Sequence, residues 1–246
     1  MNFVNRRLTL AIVLAGVVPA FGLTHLVVGE YKAQRLRLAN EWSARGRHDL
    51  PSRPAAAAVE LQTALSYGPE RAADRLDLAR ALTAARRPAE AQAELLALWT
   101  DTPGDGEVNL ELARASAMSG DVAAAVRYYH AAIDGAWESG APSARRQARL
   151  ELARMLLAGG QRLAAQSELV PLTDDLPADA ATATEVTGLF AAVGATAFKA
   201  GDYRSARTFL ASAAARDSLD AGGREMLAIA DRVLALDAEQ RSAGPR

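Results

Sequence analysis

The chain contains no cysteine. That excludes disulfide staples, cysteine–zinc centres and thiol catalysis, and it leaves the redox compartment unread. Aromatic residues are scarce, at 5% of the chain. A β-sandwich would draw on valine, isoleucine, threonine and aromatic side chains, whereas a core of alanine and leucine suits closely packed helices. A surplus of one charge sign is also missing: 28 Lys and Arg stand against 29 Asp and Glu, for a net charge of -1. No overall basic field results, so a nucleic-acid partner is not expected. The three histidines, His25, His48 and His130, lie far apart, and none falls in a metal-ligand spacing. No glycine-rich phosphate loop and no G-x-S-x-G is present. The expectation is a non-enzyme with no cofactor, no metal and no small-molecule substrate.

What the chain does have is one long apolar run. After a short tail over residues 1–7, ending in Arg6 and Arg7, residues 8–28 contain no Asp, Glu, Lys or Arg. At about 1.5 Å per residue such a helix is long enough for a hydrocarbon core of roughly 30 Å. The run therefore predicts a transmembrane signal anchor over residues 8–29, with His25 near its far end and Tyr31 at the boundary. A signal peptide cleaved after Ala20 and a buried soluble helix are the competing readings. Arg6 and Arg7 favour a cytoplasmic N-terminus, while Lys32, Arg35 and Arg37 argue the reverse. The expectation adopted is a single pass through a bacterial inner membrane with the remainder on the periplasmic side.

The rest of the chain repeats itself. Leu76-Asp-Leu-Ala-Arg80, Leu110-Glu-Leu-Ala-Arg114 and Leu150-Glu-Leu-Ala-Arg154 are near copies; Ala79 and Ala113 lie 34 residues apart, Ala113 and Ala153 lie 40 apart. Twelve residues after each small residue comes another alanine: Ala91, Ala125 and Ala165. Apolar residues follow at Leu95 and Leu98, at Tyr129 and Ala132, and at Leu169 and Leu172, with Pro103 and Pro177 after the first and third. A further copy pairs Gly194 with Ala206, Leu210 and Ala213, and an upstream partial copy has Ala57, Leu61, Ala64 and Pro69. Turn signals recur between the halves, at Ser119-Gly120-Asp121, Gly159-Gly160-Gln161 and Ala200-Gly201-Asp202. Glycine there supplies the left-handed conformation that ends a helix.

This pattern resembles the tetratricopeptide repeat (TPR), over roughly residues 40–217. The resemblance implies an all-α solenoid of about five helix hairpins, each with a helix A and a helix B. Ala79, Ala91, Ala113, Ala125, Ala153, Ala165, Gly194 and Ala206 would be the small packing positions. The aromatic that the family often places early in helix A is replaced by Arg75, Asn109 and Arg149, and only Phe190 supplies it. The organisation expected is a helical stem over 30–53, the array over 54–217, a capping helix over 218–238 and a disordered tail over 239–246. A loop is expected over Asp134–Ser143, carrying an exposed Trp137.

Partner binding follows from the same resemblance. The residue after the small position of helix A lines the family's concave groove, and here it is Arg80, Arg114 and Arg154. Such a row could hold carboxylates of a peptide or helix. Asp77, Glu111 and Glu151 each lie three residues earlier, so intrahelical ion pairs are the alternative. Tyr128, His130 and Trp137 form a second candidate, a docking patch, with local packing as its alternative. The functional expectation is a membrane-tethered scaffold for protein partners, engaged in assembling or positioning an envelope complex. A structural subunit of a membrane complex, or an exported binding protein if the N-terminal segment is cleaved, are the alternatives.

Overall fold

The computed structural model describes residues 3–68, 71–173 and 180–242, with side chains described from Phe21 onward except at 22 and 180–182. The expected prolines Pro69 and Pro177 lie outside the described residues. Eleven α-helices and one 3-10 turn make up the described secondary structure. They fall into two compact units, Met1–Asp101 and Thr102–Arg246.

The first unit holds α1 (Phe3–Asp49), α2 (Pro54–Tyr67), α3 (Ala72–Ala84) and α4 (Pro88–Asp101). Helix α1 pairs with α2 and α3 with α4. Gly46 makes the first pairing possible: a Cβ there would lie 2.5 Å from Leu61 Cγ, closer than packed carbons approach. Proline opens α2 and α4, where its missing N–H costs nothing. Arg35 closes α2 at its other end, donating to the carbonyls of Tyr67 at 2.8 Å and Ser66 at 2.9 Å. Asp74 is a buried hub that ties α1 to α3. It accepts from Ser43 at 2.7 Å, Arg47 at 2.7 Å and Arg71 at 2.8 Å, as a buried carboxylate must to offset its lost hydration.

The second unit holds α5 (Gly106–Met118), α6 (Val122–Asp134), α7 (Ala141–Ala158), α8 (Arg162–Leu169), a 3-10 turn (Val170–Leu172), α9 (Ala180–Lys199), α10 (Tyr203–Ala214) and α11 (Ala221–Ser242). Three helix pairs are followed by one further helix, which packs on α10 and buries Ala230. Two apolar clusters form the core. One is built around Leu110, Ala113, Tyr129, Leu152 and Leu156, the other around Leu150, Leu169, Val186, Phe190, Val193, Phe209 and Leu210. The small residues read from the repeat sit inside: Ala79, Ala91, Ala113, Ala125, Ala153, Ala165 and Ala206 are all 0% exposed. Gly194 has the same need, because a Cβ there would come within 2.7 Å of Leu210 Cγ.

One hydrogen-bond pattern ends four of the A helices. Asp121, Gln161 and Asp202 each donate their N–H to the carbonyl five residues back, at 2.8–3.0 Å, across Gly120, Gly160 and Gly201 with φ of +80°, +73° and +77°. This is the Schellman closure, in which a left-handed residue lets the chain reverse and satisfies helix carbonyls. In the first unit Arg86 holds that conformation with φ +62°, and Arg87 N–H reaches Leu82 O at 2.9 Å.

The fold departs from the sequence expectations in several places. Among the described residues no helix is long and apolar enough to cross a membrane, which overturns the transmembrane helix expected over 8–29. Helix α1 runs unbroken from Phe3 to Asp49. The Asp134–Ser143 loop is cut to residues 135–140 by the flanking helices. The disordered tail expected over 239–246 is helical as far as Ser242, with Arg241 bonded to Asp237 one turn back at 2.8 Å. Residues 243–246 lie outside the described residues.

Candidate functional site

The arginine row is engaged within the protein. In the second unit Arg114 grips Glu151 of α7 with two nitrogens, Nε at 2.8 Å and Nη2 at 2.6 Å, and also donates to Glu111 on its own helix at 2.9 Å. Bidentate geometry is the strongest form of guanidinium–carboxylate contact. Gln147 at 2.8 Å and the Tyr129 hydroxyl at 3.3 Å donate to the same carboxylate. Burial is the largest single influence on Glu151 and pushes its pKa up, yet the hydrogen bonds and charge of Arg114, with Gln147 and Tyr129, outweigh it and hold the group below the usual range. The Tyr129 hydroxyl is pushed up, first by burial and then by the Glu151 charge. The Arg114 guanidinium is raised by its hydrogen bonds to Glu151.

Arg154 pairs with Glu185 of α9. In the first unit Arg80 pairs with Asp77 on its own helix at 3.3 Å, and Asp77 also accepts from Arg47 of α1 at 2.6 Å. The intrahelical alternative thus holds for Arg80 and Arg114, but Glu151 is taken by Arg114 rather than by Arg154. The arginines stitch successive A helices: α1 to α3 in one unit, α5 to α7 and α7 to α9 in the other.

Arg47 was missed in the sequence although its signal was present. Gly46-Arg47 matches Ala79-Arg80, Ala113-Arg114 and Ala153-Arg154 as a small residue followed by arginine. The first hairpin has one residue fewer between Gly46 and Leu61 than the others have over the same span, so a fixed spacing placed the copy one residue out of step.

A second register recurs nineteen residues apart. Arg75 bonds Glu94 at 2.9 Å across α3 and α4, and Arg149 bonds Glu168 at 3.4 Å across α7 and α8. In the last hairpin the same register is Phe190 against Phe209, with ring centroids 5.8 Å apart. The residues that depart from the family's aromatic therefore close the hairpin by charge. Asn109 departs differently, donating to the carbonyls of Pro103 at 2.9 Å and Asp105 at 2.7 Å.

Tyr128, His130 and Trp137 are held by three different neighbours. Tyr128 is half-buried under the Arg127 guanidinium, 5.3 Å from its ring centroid. His130 is exposed and shares a hydrogen bond with Glu168 at 3.0 Å. Trp137, expected to be exposed, is half-buried. Its indole N–H donates to Ala132 O at 3.0 Å, and a Cβ on Gly106 would collide with its ring. The short loop around it is pinned further by Gly106 N–H to Ala136 O at 2.7 Å and Arg145 to Gly135 O at 2.9 Å.

Where α10 meets α11, Arg204, Arg207, Thr208, Asp231, Leu234, Ala235 and Arg241 line an open groove of about 450 Å³. Among the described residues no group of three or more His, Cys, Asp or Glu could hold a metal ion.

No family model matches the chain, and no curated protein matches it. A solved structure, from the functional characterization of Pseudomonas aeruginosa pilF, superposes with a TM-score of 0.54 at 14% identity, covering 86% of this chain and 95% of that one. The pilF protein contains tetratricopeptide repeats. At that identity the likeness is one of fold, and the fold this chain shares with it is an all-helical, tetratricopeptide-like array of hairpins.

Proposed function

We propose that the protein is a scaffold of the tetratricopeptide type, which holds protein partners so as to assemble or position a larger complex. The observation that carries this reading is the likeness of fold to pilF over 86% of the chain. Arrays of helix pairs present extended surfaces made of many side chains and serve in binding rather than chemistry. The local chemistry agrees: Arg47, Arg80, Arg114 and Arg154 are tied to carboxylates of the same protein, and ion pairs between neighbouring helices favour a rigid array. A rigid surface pays less ordering entropy on binding than a mobile one.

The test is photocrosslinking in cells from single benzoylphenylalanine substitutions at Met118 of α5 and Leu163 of α8, which are 36% and 67% exposed. A scaffold gives discrete crosslinked proteins from at least one of the two helices. No discrete product from either position overturns the reading.

A further inference from the structure

The groove between α10 and α11 differs from the arginine row, because its positive charge is not fully matched. Arg207 donates through Nε to Asp231 at 2.6 Å, the one carboxylate in the lining. Its remaining N–H groups are left to serve a second acceptor, since a guanidinium carries five donors. Arg241 is held from outside the lining by Asp237, through the side chain at 2.8 Å and the backbone carbonyl at 3.1 Å. Arg204 has no carboxylate partner among the described residues, so even with Asp237 counted, three guanidiniums face two carboxylates. This surplus sits in a chain whose net charge is -1.

Helix stability does not explain Arg204. It lies in the first turn of α10, where the helix's positive end disfavours a cation and favours an acid. The stabilising acid is already present: Asp202 caps the helix by accepting from Ser205 N–H at 3.2 Å, and Arg162 pairs with it at 3.2 Å. Beside the arginines the lining holds Thr208 and Asp231 together with the apolar Leu234 and Ala235.

We infer that this groove binds an acidic, leucine-containing segment of a partner protein. Carboxylates of the segment meet Arg204 and the free N–H groups of Arg207, and an aliphatic side chain lies on Leu234 and Ala235. A volume of about 450 Å³ accommodates a few residues of peptide, in the range of ordinary ligand clefts. A nucleic-acid strand fits less well, because Asp231 sits within the lining and the positive surplus is local. The inference rests on the scaffold reading and names the chemistry of one partner.

The experiment uses the full chain and a fluorescein-labelled peptide of four Asp-Glu-Leu repeats, followed by anisotropy. Binding is expected to weaken roughly tenfold in Arg204→Glu and to survive in Arg204→Lys, since loss of a steering charge changes affinity whereas its conservative replacement does not. It also falls on raising the salt from about 0.05 M to about 0.3 M, and an Asn-Gln-Leu peptide of equal length does not bind. Arg204 is exposed and has no carboxylate partner among the described residues, so an unchanged thermal midpoint shows that the variant is folded. Equal binding by Arg204→Glu, equal binding of the neutral peptide, or displacement of the peptide by an equimolar single-stranded polynucleotide overturns the inference. If the peptide fails while Met118 or Leu163 still gives discrete crosslinks, the scaffold reading stands without this groove. If the crosslinks fail too, both fall.

Discussion

The hairpins α7/α8 and α9/α10 close the same register by opposite means. In α7/α8 a partly exposed Arg149 meets Glu168 at 3.4 Å; in α9/α10 Phe190 and Phe209 meet ring to ring, 0% and 1% exposed. The ionic closure works where water still reaches, so Coulomb attraction is screened and each side chain must be ordered. The aromatic closure removes large apolar surface from water and belongs to the cluster that also receives Leu150, Leu169 and Leu172. One backbone geometry therefore tolerates either chemistry, and the burial of the site decides which one stabilises the array more.

The largest effect should come from the aromatic side. Phe190→Ala should destabilise the second unit by about 3–5 kcal/mol, the cost of lost transfer energy plus a cavity in a packed core. Urea unfolding followed at Trp137, with Trp42 and Trp99 replaced by Phe, reads this unit alone. A loss under about 1 kcal/mol would mean that the core relaxes around the gap and that the aromatic closure is not what holds the hairpin.

Next comes the half-buried Arg114 of the arginine row. Glu151→Gln should cost about 2–3 kcal/mol at pH 7, because Arg114 loses its bidentate partner in a partly buried setting. The pH dependence has a definite sign. Glu151 is held below its ordinary pKa in the fold, so its contribution is complete above the unfolded value of about 4.3 and disappears as pH falls through the lower folded value. The difference in stability between the wild-type chain and Glu151→Gln should shrink on acidification below about pH 5. A constant difference down to pH 3 would show that packing, not ionisation, supports the site.

On the ionic side, Arg149→Ala should cost only about 1 kcal/mol. Glu168 keeps its bond to His130 at 3.0 Å, so the carboxylate is not orphaned. A loss comparable to that of Phe190→Ala would erase the distinction between the two closures.

How much of this was legible can be argued from the same residues. The small positions were readable because close helix approach admits only Ala or Gly there, and the repeat shows it in phase: Ala79, Ala113, Ala153 and Gly194 are fixed by sterics. Phe190 was readable as the one aromatic at its position. The partners that the arginines take on a neighbouring helix were not. Asp77, Glu111 and Glu151 stand three residues before an arginine, which suggests an intrahelical pair, but the choice between that partner and one on the next A helix depends on helix-to-helix distance. Glu185 lies nine residues before Gly194, outside the repeat pattern, and no spacing rule points to it. The transmembrane expectation rested on the length and apolarity of residues 8–28 alone, and among the described residues no helix is long and apolar enough to cross a membrane. The α10/α11 groove was invisible because Arg204 and Arg207 carry no motif, and only the packing of α11 makes them face one lining with Leu234.

The smallest effect separates turns rather than hairpins, and it runs toward greater stability. The turn between α3 and α4 uses Arg86 at φ +62°, where three equivalent turns use glycine. A side chain in the left-handed region strains against its own carbonyl, while glycine adopts it freely but loses more entropy on folding. The first term exceeds the second, so Arg86→Gly should stabilise the first unit by about 0.5 kcal/mol. Arg86 appears in no hydrogen bond through its side chain among the described residues, and its backbone N–H to Thr83 O at 3.1 Å is kept by glycine. Thermal unfolding read at Trp42 and Trp99 in a Trp137→Phe background gives the answer. A lowered midpoint would mean that the Arg86 side chain contributes more to the turn than its backbone strain removes, and that the closure shared by the four turns tolerates a side chain there at no net cost.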